Sequence, residues 1–258
     1  MKELFVSTVK LAKEVVVKPS EACERVQRDG KAFPAAALIY FTYLLLEWLF
    51  YSWKPADFPS LGAAVSNGAA PGLREGMGAE FFSGLIFPFF WLLVFIAGLR
   101  LLKNGKLAFR ILILAAATGA GALVLAFLNA ARAGRGLYAC LVILITGGAC
   151  AYLRKNNFPW KPAAALLLSS NVLSVIFLPV MAAGVYAGSE TVYLSAGIIS
   201  ALWVVFFTLR GLRAVTGISI ARCAAASIFS FGLALVIMYS LYGAGLIGKT
   251  AVRAMMAI

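Results

Sequence analysis

The sequence predicts an all-α, polytopic membrane protein of about seven transmembrane helices. Seven long apolar stretches occupy most of the 258 residues, and the hydrophobic fraction is 62%, above the ~45–50% of a soluble domain. The stretches are continuous rather than alternating, as helices in lipid require, because each helix satisfies its own backbone. Basic residues gather at every second junction between them.

A hydrocarbon core of about 30 Å needs about 20 apolar residues per helix. The spans read as Phe33–Phe50, Phe81–Leu102, Leu107–Leu128, Gly136–Leu153, Pro162–Tyr186, Val192–Leu212 and Cys223–Leu246. No junction holds enough polar chain for a soluble domain. The organisation is therefore an N-terminal segment over 1–32, a membrane bundle over 33–247 and a short tail over 248–258.

Residues 1–32 mix bases and acids ahead of any apolar run, unlike a cleavable signal. Leu4, Phe5, Val9, Ala12 and Val16 recur at helical spacing. That spacing predicts an amphipathic helix lying on the cytoplasmic membrane surface, with a solvated tail as the plainer alternative. Pro19 stops it, and Ser20 opens a second short helix over Glu21–Arg28.

The net charge is +13, yet its distribution is not a nucleic-acid footprint. One set of ends carries Lys2, Lys10, Lys13, Lys18, Arg25, Arg28 and Lys31, then Arg100, Lys103, Lys106 and Arg110, then Arg154, Lys155 and Lys161, then Arg210, Arg213 and Arg222. The other set carries Lys54, Arg74, Arg132, Arg135, Lys249 and Arg253. The positive-inside rule then puts the N-terminus in the cytoplasm and the C-terminus outside. An even number of spans would break this alternation. Of the basic residues, Arg100, Lys103, Lys106, Arg110, Arg154, Lys155, Lys161, Arg213 and Arg222 are the candidates for facing anionic lipid head groups or a partner.

The chain offers few groups for chemistry. It has no histidine, which removes the commonest general base and metal ligand. Of the acids, Glu3, Glu14, Glu21, Glu24 and Asp29 precede the first span, Asp57, Glu75 and Glu80 fall in the first outer loop, and Glu190 in a later one. Only Glu47 lies within a span. No catalytic residue, cofactor or metal site is expected, and no enzyme activity. Cys23, Cys140, Cys150 and Cys223 form no CxxC pair. Cys140 and Cys150 sit about 15 Å apart on one helix. All four read as small buried side chains.

Two polar features stand inside the apolar runs. Glu47 lies about 7 Å from the aromatic rim of Phe50, Tyr51 and Trp53 by helix rise. An intramembrane carboxylate is costly and a functional candidate, but this one can also reach the interface or pair with Arg132 or Arg135. Ser169, Ser170, Asn171 and Ser174 lie around the middle of the fifth span, with Pro179 behind them as a potential kink. They line a path for a small polar solute, or they are hydrogen-bonding glue between helices. Gly243-Ala244-Gly245-Leu246-Ile247-Gly248-Lys249-Thr250 fits GxxxxGK[ST]. That phosphate loop needs a preceding strand, a following helix and a downstream acid. None is present here, so the segment reads as a glycine-rich helix end, and no nucleotide is expected.

An internal repeat appears at an offset of 51 residues. Leu102-Lys103-Asn104-Gly105-Lys106-Leu107-Ala108-Phe109-Arg110 aligns with Leu153-Arg154-Lys155-Asn156-Asn157-Phe158-Pro159-Trp160-Lys161, and Thr118 then falls on Ser169. Duplicated helical hairpins are common in membrane proteins. Gly98-Leu99-Arg100 is a looser match to Gly211-Leu212-Arg213.

Both ends of the chain resemble the Yip1 domain family. The first carries Lys18-Pro19-Ser20-Glu21-Ala22, a break at Gly30, and Phe33-Pro34 opening a helix. The second carries Ala201-Leu202-Trp203, Leu209-Arg210-Gly211-Leu212, Thr216-Gly217-Ile218-Ser219 and Ala221-Arg222-Cys223-Ala224. The segment from Asn104 to Arg110, and its copy ending at Trp160-Lys161, resemble the family's glycine-rich turn and helix start. The resemblance implies a five-helix core with a cytoplasmic N-terminus. Seven spans then mean an added hairpin, Leu107–Leu153, supplied by the duplication. The acidic-Leu-x-Gly-Pro motif by which eukaryotic members engage Rab-type GTPases is absent. What the resemblance implies is a bacterial-type, non-enzymatic accessory or scaffold of the cytoplasmic membrane, in some relatives beside ABC-type exporters. The alternative is a small permease or channel using Glu47 and Ser169–Ser174. The expected partners are anionic lipid and a transporter or other membrane protein, with no nucleic acid.

Overall fold

A chain this apolar can bury its peptide groups in lipid only by coiling them. The computed structural model describes residues 2–54, 73–154 and 159–248, and within these the side chains of all but residues 2, 51–52 and 73–84. Among the described residues every regular element is a helix. They run α1 (Lys2–Val17), α2 (Pro19–Arg28), α3 (Ala32–Trp53), α4 (Leu73–Lys103), α5 (Leu107–Ala130), α6 (Arg135–Arg154), α7 (Trp160–Ser169), α8 (Val172–Tyr186), α9 (Glu190–Thr216) and α10 (Ile220–Gly243). Lys155, Asp57, Lys249–Thr250 and the tail beyond them fall outside the described residues, and the Glu75 and Glu80 side chains are not described.

Seven stretches are long and apolar enough to cross a membrane: Ala32–Phe50, Leu85–Lys103, Leu107–Ala130, Arg135–Arg154, Trp160–Tyr186, Glu190–Thr216 and Ile220–Gly243. Their ends fall within a few residues of the sequence reading. This is the make-up of a multi-pass membrane protein. One span differs in kind. The fifth is two helices, α7 and α8, parted at Ser170 and Asn171. Pro179, the potential kink, lies within α8 and does not end it; the break comes nine residues earlier.

The chain forms two compact units. The first holds α1–α3 and α7–α9. Its centre is α7, whose Ala163, Ala164, Ala165 and Leu166 are fully buried. Three consecutive alanines let neighbours approach on every side, and α3 and α9 both pack there. Gly211 of α9 makes room for Leu166; a Cβ at Gly211 would come within 2.6 Å of that side chain. α8 and α9 form a hairpin closed by Gly188 at φ +63, with Ser189 N–H donating to the Gly184 carbonyl at 2.9 Å. Phe50 stacks on the buried Tyr193 ring, centroids 6.4 Å apart, and Met181, Val185 and Ala196 complete that cluster.

α1 is part of this unit. It packs against α3, α7 and α8 through Ser7, Leu11, Glu14 and Val15. The apolar stripe read from the sequence stays outward: Phe5, Val9 and Val16 are exposed, with Val6 and Val17 beside them. The helix is apolar on two faces, and the sequence pattern could not say which would meet protein. α2 buries Ala22, Cys23 and Val26 in its contacts with α7 and α9.

The second unit holds α4 from Gly78 onward, with α5, α6 and α10. α10 is its middle helix, and α5 and α6 each pack on it more than on one another. Val94 of α4, Val142 of α6 and Ala234, Ile237 and Met238 of α10 form the core. Gly121 of α5 lies against Val236, and Gly98 of α4 against Ser230. At the end of α10, the Tyr138 ring of α6 covers Gly243, where a Cβ would stand 2.5 Å from the ring. The turn after α6's predecessor is unusual. Ala133 N–H closes back on the Leu128 carbonyl at 2.9 Å, so Arg132 takes the left-handed conformation, φ 47, that glycine usually fills. Only 17% of the α5 span and 11% of the α6 span are buried, the lowest of the seven, which makes these two the peripheral helices.

Two glycine substitutions separate close packing from open surface. A Cβ at Gly184 would lie 2.8 Å from the Tyr193 backbone nitrogen, which cannot move without opening the hairpin. Gly184→Ala is expected to destabilise the protein by about 1–3 kcal/mol, as overpacking does. Gly147 of α6 has nothing within 4 Å, so Gly147→Ala should be neutral or gain up to about 1 kcal/mol of helix propensity. Thermal unfolding in detergent reads both.

Candidate functional site

The break in the fifth span is built from side chains that compete with the backbone. Ser, Thr and Asn bond nearby carbonyls and so offer the chain an alternative to helix. Ser169 Oγ donates to the Leu166 carbonyl at 3.0 Å and Ser170 Oγ to Leu167 at 2.7 Å. Asn171 Nδ2 donates to the Leu167 and Leu168 carbonyls, both at 3.2 Å. Both serines are essentially fully buried. The Leu166 carbonyl also accepts the Ser170 N–H at 3.0 Å, whereas the bonds to Leu167 and Leu168 supply partners at the end of α7 that hydrocarbon does not. Ser174 lies beyond the break and accepts a long hydrogen bond, 3.4 Å, from Ser200 Oγ of α9. The cluster therefore divides. Ser169, Ser170 and Asn171 face their own helix, and Ser174 joins α8 to α9.

Glu47 is half-buried on α3. Tyr43, one turn earlier, donates its phenol to Glu47 Oε1 at 2.6 Å. The i, i+4 spacing puts the two on one face, so the carboxylate has a strong local donor. The amide of Asn171 turns to α7 carbonyls rather than toward Glu47.

The basic residues fall into two kinds. Arg222, at the start of α10, aims its guanidinium at the end of α4: Nη1 donates to the Leu102 and Lys103 carbonyls at 2.6 and 2.9 Å, and Nη2 to Gly105 at 3.0 Å. A cation there satisfies helix-end carbonyls and opposes the negative end of the helix dipole. Arg110 lies on the same turn beside Gly105, which is left-handed at φ +88. Arg100 is buried, its guanidinium 4.2 Å from the Tyr152 ring centroid. Lys103, Lys106, Arg154, Lys161 and Arg213 are exposed. Lys161 lies 5.8 Å from the Trp160 ring, which itself meets Phe33 edge-on.

Sequence reasoning missed one constellation altogether. Arg25 Nε and Nη2 grip both oxygens of Glu14, at 2.5 and 3.0 Å, joining α2 to α1. Arg25 Nη1 and Ser7 Oγ each reach Asp29 Oδ2 at 3.5 Å, and Asp29 Oδ1 accepts the Lys31 N–H at 2.8 Å. Lys31 Nζ meets Glu3 at 2.6 Å. Gln27 donates to the Ala214 carbonyl of α9 at 3.0 Å, so the hairpin is tied to the end of that helix. The hydrogen bond and charge of Lys31 hold the Glu3 carboxyl below its ordinary value, and those of Glu14 hold Arg25 above its own. The available signal was the interspersed charge of residues 1–32, but charge alone does not say which pairs meet.

Two glycines of the GxxxxGK[ST] segment, Gly243 and Gly245, have structural tasks. Gly243 admits Tyr138. Gly245, at φ +74, ends α10 with Gly245 N–H on the Tyr242 carbonyl and Leu246 N–H on the Leu241 carbonyl, both at 2.9 Å. This is the left-handed closure common at helix ends. All four cysteines are free; Cys23 and Cys223 are buried as expected, whereas Cys140 and Cys150 are exposed on α6. Burial raises the Cys23 thiol pKa. No protein-family model, curated protein or solved structure matches this chain.

The ion-pair clasp yields two tests. Arg25→Ala leaves Glu14 mostly buried without its bidentate partner, and should cost about 2–4 kcal/mol, somewhat less than breaking a fully buried pair. Thermal unfolding, with hydrogen exchange in α1, checks it. The second is pH. The folded-state pKa of Glu3 is depressed from 4.5. Its tether is therefore present above that value and is lost as pH falls through the lower folded value. Exchange protection at the start of α1 should weaken on acidification below the ordinary glutamate value of 4.5 and stay unchanged near neutral pH.

Proposed function

We propose that this protein is a non-enzymatic accessory or scaffold of the bacterial cytoplasmic membrane, of the Yip1 type, with its N-terminus in the cytoplasm and its C-terminus outside. The observation that carries the reading is the fate of the intramembrane polar groups. Ser169, Ser170 and Asn171 bond to the carbonyls of their own helix and are buried or nearly so, which leaves no row of free donors and acceptors for a solute. Glu47 is held by Tyr43. The exposed cations Lys103, Lys106, Arg154, Lys161 and Arg213 sit at the ends of apolar helices, where lipid phosphates and acidic partner segments are found.

A small permease or channel is the second reading, and the interrupted fifth span favours it. Discontinuous membrane helices often frame substrate sites in transporters. The two readings part on one result. The accessory reading expects Glu47→Gln with Asn171→Ala to leave vesicle fluxes at background, as in the unsubstituted protein, and expects a stoichiometric membrane-protein partner after mild-detergent extraction from native membranes. Solute movement by the purified protein alone, abolished by those two substitutions, would replace it with the permease. Reporter fusions at each terminus test the orientation: a cytoplasmic signal at the C-terminus overturns it.

A further inference from the structure

The second unit carries a groove that neither reading uses. Ile86, Phe89 and Phe90 near the outer part of α4, with Leu241, Leu246 and Ile247 at the end of α10, line an open, almost wholly apolar groove of ≈ 440 Å³. That volume lies in the range that encloses most of a small ligand. The Trp91 indole, in the apolar cluster along its wall, has a buried N–H with no acceptor among the described residues.

A cation lies next to the chain segment that forms one side of the groove. Gly245 precedes the groove residues Leu246 and Ile247, and a Cβ at Gly245 would lie 3.4 Å from the Arg135 guanidinium carbon. Arg135 is exposed at the start of α6 and, among the described residues, makes no ion pair or hydrogen bond through its side chain. Its neighbourhood is poor in counter-charge. The sequence has no acid between Glu80 and Glu190 and none after Glu190, so Glu80 is the only acid in this unit. A groove walled by hydrocarbon and a guanidinium one residue along from its Leu246–Ile247 side match the two halves of one kind of molecule.

We infer that the α4–α10 groove binds one phospholipid of the surrounding bilayer with an anionic headgroup. An acyl chain lies along Phe89, Phe90 and Leu241, and the phosphate is held by Arg135. Guanidinium meets phosphate through two parallel hydrogen bonds. Arg132, exposed three residues earlier in the α5–α6 turn, adds charge that favours an anionic over a zwitterionic headgroup. The inference concerns one binding site. It stands whether the protein is an accessory or a permease.

The test is lipid retention. The full-length protein is reconstituted in discs of equal phosphatidylglycerol and phosphatidylcholine, re-extracted in mild detergent, and its bound lipid counted by mass spectrometry. The expected result is selective retention of phosphatidylglycerol. Arg135→Ala should lower that selectivity about tenfold, the scale of one charge-assisted contact, with Arg135→Lys in between. Leu246→Trp changes an exposed position and fills the groove, so it should reduce retention of both lipids while thermal unfolding stays unchanged. Should Arg135→Ala fail to fold, Arg135→Lys and Leu246→Trp carry the test. Equal retention of the two lipids overturns the inference. So does wild-type selectivity in the Arg135 variants, or a co-purified membrane protein that Leu246→Trp releases in place of lipid.

Discussion

A peptide group in hydrocarbon has no water to turn to, and the structure follows from that constraint. Each N–H and carbonyl must find its partner within the protein. Seven apolar stretches meet the demand by coiling. The harder cases are the places where coiling stops. At the end of α4 three carbonyls are taken by the Arg222 guanidinium. At the end of α7 the Leu167 and Leu168 carbonyls are taken by Ser170 and Asn171. Polar residues that looked like candidates for chemistry or lipid contact are engaged in this accounting.

The same economy governs charge. The acids of α1 and the α2–α3 turn are consumed by ion pairs on the protein side: Glu14 by Arg25, Glu3 by Lys31, Asp29 by Arg25. The outward face of α1 keeps its apolar residues and the exposed Lys10 and Lys13, a composition suited to an anionic membrane surface. The second unit has a single acid, Glu80, to set against its cations. Its cations are answered by carbonyls (Arg222), by an aromatic ring (Arg100) or, at Arg135, by no described group of the chain. Glycine plays a parallel part in packing. Gly184, Gly211 and Gly243 each stand where a methyl group would strike a neighbouring helix, and this allows close contact where hydrophobic burial against lipid drives little association.

The sequence by itself determined the fold class, the number of spans and their limits, because each follows from a local rule. A run of about 20 apolar residues must coil in lipid whatever surrounds it. It also located the polar residues that would matter, Glu47 and Ser169–Ser174, since polarity within an apolar run is visible without contacts. Tertiary structure alone decided what those residues do. Whether Asn171 looks across the bundle or back at Leu167 depends on where the helix breaks, and Pro179, the stronger local signal, was not the place. Which apolar face of α1 meets protein, which of many charges pair, and why Gly243 and Gly245 are glycines were likewise beyond reach. Those answers rest on distances between residues far apart in the chain, such as Arg222 and Leu102 or Gly243 and Tyr138, and periodicity along one helix carries no record of its neighbours.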